Sequence, residues 1–268
     1  VNIYETLATG ILLSTAVIGV GVALERHWPA TPVSAEAVVF NTVYSWIALV
    51  AHGLLAPPLG ALTAVGISAL GGGLIRLPTT GLGLVFGSVA YILSMDLGEY
   101  IFHRAQHRFQ FLWRLHSFHH SDDMFNVSTT LRHHWLEQFL KMVTIYAVVG
   151  LILKPAQITL GVYVVLSYLN FFNHMNVDVG LGKWSFLLNT PRYHRLHHSR
   201  QAEHYDTNFA AMFPIFDLVC GAYKVPEAGA CPPTGLDAVA PPRRLWRALI
   251  WPLAGQPRAS DALAQPEL

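Results

Sequence analysis

Long uncharged apolar stretches alternate along this chain with short polar segments in which histidine is concentrated. The first, TLATGILLSTAVIGVGVA at 6–23, approaches the roughly 20 residues a helix needs to cross a bilayer core. Glu5 precedes it and no Lys or Arg does, so it reads as a retained first span and not as a secretory leader. A second apolar block, 36–75, is interrupted by Pro57 and Pro58. That break predicts either two short spans turning at LAPPLG or one span with a re-entrant piece. A further apolar helix over 81–100 runs into a histidine-bearing segment, and 138–153 with 157–173 predicts a helical hairpin with Lys154 and Pro155 at its tip. The pattern as a whole predicts an all-α polytopic membrane protein.

The polar remainder divides in two. Residues 176–224 are too charged to span and predict a helical cap on the cytosolic helix ends. Beyond Val225 the chain turns Pro- and Ala-rich, RRLWRALIW at 243–251 reads as a basic interfacial helix, and the last dozen residues are expected to be disordered. Three regions follow: N-terminal spans over 1–80, a catalytic core over 81–224 and a tail over 225–268. With two spans in 36–75, only Arg26, Arg76 and Lys154 fall on the side away from the histidines, which puts the histidine side in the cytoplasm.

Composition supports this picture and narrows it. The chain is 53% hydrophobic and 12% charged, against about 25% charged residues in an ordinary soluble domain. A net charge of +1 without any basic run sets nucleic acid aside as a partner. Cys220 and Cys231 stand far apart and form no CxxC, so they read as two unpaired thiols.

The fourteen histidines are the chemical signal. HxxHHS occurs twice, at 116–121 and 194–199. Residues at i, i+3 and i+4 share a helical face, so His116, His119 and His120 converge, as do His194, His197 and His198. His103 and His107 form another such pair in DLGEYIFHRAQH, and His174 ends the hairpin. All fall at one membrane face, where so many imidazoles predict metal ligation, with enough donors for two ions. Imidazole suits iron, zinc and copper alike. His134 is a further candidate ligand, whereas His133 is expected to point about 100° away and to be its neighbour only. Asp96 and Glu99, on the same stripe as His103, are expected to accept the outer ring N–H of ligand histidines, or else to pair with Arg104 or Arg114. His204 and Asp206 are placed beside the site, and His27 and His52 are read as structural.

On these residues the chain resembles the fatty acid hydroxylase/sterol desaturase superfamily of membrane di-iron enzymes. The matching elements are HxxxH at 103–107, HxxHH at 116–120, the box from Arg132 to Glu137, Asn173–His174, and Pro191 to His198 followed by Asn208. Trp135 stands where the family has Pro, Ala210 where it has Gly, and Phe216 precedes Asp217 in place of Trp. The resemblance implies two Fe ions held by His103, His107, His116, His119, His120, His174, His194, His197 and His198. It places His134 in a further motif position and Asn173 and Asn208 beside the ligands. It further implies O₂ as co-substrate and hydroxylation or desaturation of a bilayer lipid such as a fatty acyl chain, sterol or isoprenoid, in a bacterial inner or endoplasmic reticulum membrane.

Electrons are expected from an external reductase or small redox protein, since neither a nicotinamide fingerprint nor a haem motif is apparent. Arg192, Arg195 and Arg200 on the cap are candidates to meet it or lipid head groups. The rival readings are a histidine-rich metal transporter, whose sites usually lie at the bilayer midplane, and a zinc-dependent membrane hydrolase, against which the chain carries no HExxH. LNFF at 169–172 and NFAAMFPIF at 208–216 read as packing or as substrate lining.

Overall fold

Two long helices, α1 (Ile3–His27) and α2 (Ala35–Ala69), open the chain as antiparallel neighbours. They come from a computed structural model that describes residues 3–237 and 239–251; the terminal residues expected to be disordered lie outside these. The Ser34 hydroxyl accepts from the Ala37 N–H and so caps α2 at the point where apolar sequence resumes. Contrary to the expected break, Pro57 and Pro58 both lie inside a continuous α2. Proline is tolerated inside spanning helices, where neighbouring groups and local adjustment satisfy the backbone carbonyls it frees. Near the start, Asn41 donates to Asp122 and Tyr44 to the His133 carbonyl. Just beyond its C-terminus the Gly73 N–H reaches the carbonyls of Gly150 and Leu151. At about 1.5 Å per residue, its 35 residues exceed a hydrocarbon core about 30 Å thick. Its first turns therefore stand among polar residues.

The single α2 span corrects the placement of Arg26. The Glu25 carboxylate accepts from the Val127 and Asn176 N–H groups, both near the histidine segments, so α1 ends on the histidine side. The far end keeps Arg76 and Lys154, in β1 (Ile75–Arg76) and β2 (Leu153–Lys154), which pair in parallel. From there α3 (Gly81–Arg108) returns as one helix, carrying the apolar run directly into the first histidines. Helices α1, α2 and α3 are long and apolar enough to cross a membrane.

The hairpin forms as α5 (Glu137–Lys141), a π-helical turn (Met142–Tyr146) and α6 (Ala147–Ile152), then α7 (Gln157–Ser167) and α8 (Leu169–Asn173). Its residues Ile145 and Val149 pack on Tyr91, Met95 and Phe102 of α3. Before it come α4 (Gln110–His120) and a 3-10 turn over Val127–Leu131 that begins with a capping box on Asn126. The cap carries α9 (Pro191–His197), whose N-cap Thr190 accepts from Tyr193 N–H, and α10 (Ile215–Val219). The 243–251 segment does form a short helix, α11 (Leu245–Leu249), but it docks on the protein. Ala248 is fully buried with Tyr44 and Phe118, and the Trp251 indole donates to the Ser117 hydroxyl. Cys220 and Cys231 are free.

A buried polar knot joins α2, α4 and the 3-10 turn. Arg132, 3% exposed, donates to Asn41, Ser121 and the Phe118 carbonyl and lies 3.5 Å from Asp122. Asp122 in turn accepts from Asn41 and Thr129. Removing one partner of a buried pair costs about 3–5 kcal/mol. Arg132→Met should therefore lower the thermal unfolding midpoint in detergent by several degrees, and adding Asp122→Asn should restore part of it. An unchanged midpoint for the single variant would show the knot to be dispensable.

Candidate metal centre

The histidines converge because the ends of α3, α4 and α8 meet α9 of the cap. The last turns of α3 supply His103 and His107, the last turns of α4 supply His116, His119 and His120, and α9 supplies His194 and His197 with His198 at its C-cap. His174 caps the C-terminus of α8. Among the described residues the donor atoms form three groups, each with all atoms within 4.8 Å of one another: His103, His107, His116, His120 and His197 in one, His119, His174, His194 and His198 in another, and His116, His133 and Glu137 in a smaller third that shares His116 with the first. The HxxHH triplets are thus not assigned one per group. Each is divided, with consecutive histidines 119/120 and 197/198 feeding different groups, since one residue step turns the side chain about 100°.

Hydrogen bonding fixes what several of these rings present. The His103 Nδ1–H donates to the Phe209 carbonyl at 2.7 Å, and the His197 Nδ1–H to the Thr207 carbonyl at 2.8 Å. A carbonyl can only accept, so both protons sit on Nδ1 and each Nε2 offers a lone pair. Those two Nε2 atoms nevertheless face each other at 3.0 Å. In the second group the His174 Nδ1–H donates to the Asn170 carbonyl, and its Nε2 lies 3.0 Å from His194 Nε2 and 3.2 Å from His119 Nε2. Facing lone pairs repel unless a cation lies between them. Imidazole nitrogens about 2.1 Å from a metal and at right angles lie roughly 3 Å apart, so the donor sets fit metal ions.

The surroundings keep the rings neutral. Burial pushes His119, His120, His194, His197 and His198 well below the usual histidine range, His116 down to about 4 and His174 to about 3. Neutral imidazole is the ligating form. Phe209 packs 5.0–5.6 Å from the rings of His103, His107 and His197, and Phe125 lies 4.9 Å from His198 and 5.5 Å from His174. Both keep the site apolar.

A profile of the fatty acid hydroxylase family matches residues 88–222, a segment holding every histidine of these groups. The chain belongs to the fatty acid hydroxylase family. Alkylglycerol monooxygenase of Danio rerio is 35% identical to this family member over 136 residues, 51% of this chain and 30% of that protein. The Homo sapiens alkylglycerol monooxygenase is 30% identical over 221 residues, 73% and 47% of the two chains. Ornithine lipid hydroxylase of Rhizobium tropici is 29% identical over 143 residues, 53% and 43%. The chain thus spans under half the length of these relatives. No solved structure matches it.

Within this hydroxylase-family site, His133 and His134 exchange their expected places. His134 lies outside all three groups: its Nδ1 accepts from the Leu136 N–H and its ring stacks on Trp135. His133 instead stacks on His119, 4.0 Å between centroids and 13° between planes. The helical argument failed because 132–136 is not a helix. Glu137, which the sequence reading left as a motif residue only, is the hub. It is 1% exposed and takes hydrogen bonds from Gln106 (2.6 Å), His116 Nδ1 (3.1 Å), His133 Nδ1 (3.2 Å) and the His134 N–H. Burial alone would raise its carboxyl, but His133 and His116 beside it hold it well below the usual range.

The other polar candidates divide. Asp206 lies 3.3 Å from His107 Nδ1. Asp96 touches no ligand; it accepts from the Met212 and Phe213 N–H groups and so ties α3 to the cap. Glu99 pairs with Lys141, not with Arg104 or Arg114. His204 Nδ1 meets the Ser199 hydroxyl. Asn173 donates to the Ala211 carbonyl. Asn208, at φ 59, bonds with both the N–H and the carbonyl of Lys224, so both asparagines shape the cap backbone. Arg195 is buried against Asn176 and Thr31, and Arg192 pairs with Asp178, which leaves Arg200 as the exposed member of the three.

Two outcomes follow. Loss of a partner that orients a ligand histidine costs about 10–100-fold in metal affinity, so Glu137→Ala should lose metal in chelator titrations by that factor while His134→Ala retains it. The metal-free protein should lose stability as pH falls. Folded-state pKa values below the unfolded 6.5 mean that the unfolded chain binds more protons between about 6.5 and about 3–4. Denaturant midpoints of chelator-treated protein should decline across that window; a flat profile would contradict the neutral assignment.

Proposed function

We propose that the chain is a membrane di-iron oxygenase that hydroxylates an unactivated C–H bond of a lipid. The observation that carries this reading is the facing of the His103 and His197 Nε2 lone pairs at 3.0 Å, with a second group of four histidines gathered beside it around His174. Donors that are all neutral nitrogens, divided into two adjacent groups, suit two iron ions. When bound, the irons supply O₂ activation and hydrogen abstraction. The overall balance is RH + O₂ + 2e⁻ + 2H⁺ → ROH + H₂O. The electrons come from a separate reductase or small redox protein, for which the exposed Arg200 on the cap is a candidate contact.

The chain's own residues do the rest. Backbone carbonyls of Phe209, Thr207 and Asn170 and the Glu137 carboxylate hold ring protons on Nδ1, which fixes which nitrogen faces the metals. Phe209 and Phe125 exclude water from the reacting carbon's surroundings. Membership of the family and relatives named as a monooxygenase and a hydroxylase favour hydroxylation over desaturation. Basic residues crowd the histidine end and the far end keeps Arg76 and Lys154 among the described residues, which supports a cytoplasmic site. A transporter would be expected to place its ligands near mid-span, whereas both groups lie where α3 ends against the cap.

Expression in a lipid-producing host with iron and a reductase supplied should give lipids heavier by one oxygen. His119→Ala and His197→Ala, one from each group, should each abolish the product. Unchanged lipid masses under those conditions, or full activity in both variants, would overturn the proposal.

A further inference from the structure

One stretch of the cap stands beside α3 and not above its end. Asp96 of α3 accepts from the Met212 and Phe213 N–H groups, and Tyr100, one turn further on, packs 5.8 Å from Phe216 of α10. Cys220, just past α10, lies within hydrogen-bond reach of Tyr100 and Arg104. Counted from Gly81, Asp96 lies about 22 Å along α3 and Ile101 about 30 Å, and a hydrocarbon core is about 30 Å thick. The side chains agree with that count. Leu93, Leu97 and Ile101 share one exposed face of α3, which continues as exposed Arg104 and Arg108. Apolar gives way to basic between Ile101 and Arg104, and α10 packs on the apolar side of that boundary.

The outer face of α10 matches the lipid-facing stripe of α3. Ile215, Leu218 and Val219, at i, i+3 and i+4, share one face and are exposed, Val219 at 78%. Leu187 is exposed too, and two residues on the Asn189 N–H donates to the Met212 carbonyl. A water-facing surface seldom carries such a patch without a partner. Irregular backbone, in turn, is tolerated at membrane depth only where protein satisfies its polar groups. Buried side chains do so over 209–213: Asp217 takes the Phe209 and Ala210 N–H groups, Asp96 takes those of Met212 and Phe213, and the Asn189 and Asn173 amides donate to the Ala210 and Ala211 carbonyls. These four residues supply what water supplies to a surface loop.

We propose that residues 209–220 form a re-entrant segment set into the leaflet on the histidine side, with Ile215, Leu218 and Val219 of α10 facing its acyl chains. The inference rests on α3 crossing the bilayer and is independent of the oxygenase reading. It also sets the depth of the first histidine group. The Phe209 carbonyl that receives the His103 ring proton is the root of this segment, so that group stands where the acyl chains begin and not out in water.

The test uses the full chain in phosphatidylcholine nanodiscs. The chain has two cysteines, so Cys231→Ala leaves Cys220, exposed beside Val219, as the one thiol for a bimane label. Lipid with brominated acyl chains should quench that label about as strongly as one at Leu97→Cys in a background without other cysteines. Aqueous iodide should quench it several-fold less than a label at Glu203→Cys in the same background, on the exposed surface of the cap. Iodide quenching at Cys220 equal to that at Glu203→Cys, or no quenching by bromine, would overturn the proposal. A second readout uses the unaltered protein. Phosphatidylcholine carrying a mid-chain diazirine should, on illumination, attach to residues 215–220 and spare 201–206; adducts on α3 with none on 215–220 would also overturn it.

Discussion

The fold is organised around a repulsion that only a cation can relieve. His103 and His197 have each committed the Nδ1 proton to a backbone carbonyl, yet the structure brings their Nε2 lone pairs to 3.0 Å. In the second group the His174 Nε2 lone pair, fixed by the Nδ1–H bond to the Asn170 carbonyl, has two Nε2 neighbours within 3.2 Å and can accept a proton from only one of them. Protonating one ring would relieve the clash, but burial disfavours an imidazolium here. The candidate ligands come from α3, α4, α8 and α9, which are far apart in sequence, so a metal bound by them would couple binding to folding.

The bundle is fastened to the cap by carboxylates that accept backbone N–H groups. Glu25 at the end of α1 takes Val127 and Asn176, Asp96 of α3 takes Met212 and Phe213, and Asp217 takes Phe209 and Ala210 together with the Tyr193 hydroxyl. Two of these fastenings sit beside the candidate donors, since Asn176 is two residues from His174 and Phe209 packs on His103. Asp217 is a direct case: it holds the N–H of Phe209, the residue whose carbonyl receives the His103 ring proton. The polar residues expected to touch ligands mostly do so at one remove, by fixing the backbone that does.

The histidine clusters were legible because helical periodicity is a strong rule and α4 and α9 obey it. The same rule misled at 133–134, where the backbone is irregular and His133, not His134, reaches the centre. Proline in an apolar block is a weak rule by comparison, because spanning helices tolerate it, and α2 stays continuous through Pro57 and Pro58. The partner of Glu99 was invisible for another reason: Lys141 lies on a different helix, and pairings between helices depend on packing that periodicity does not encode. Glu137 was in view within its motif, but its role required knowing that four donors from three segments converge on it.

The central claim is that the two histidine groups are two ion sites of one centre. The direct measurement is metal content per chain of the protein purified from iron-replete cells, by elemental mass spectrometry. About two irons per chain is the result predicted here; one zinc per chain, or no metal above background, would contradict it.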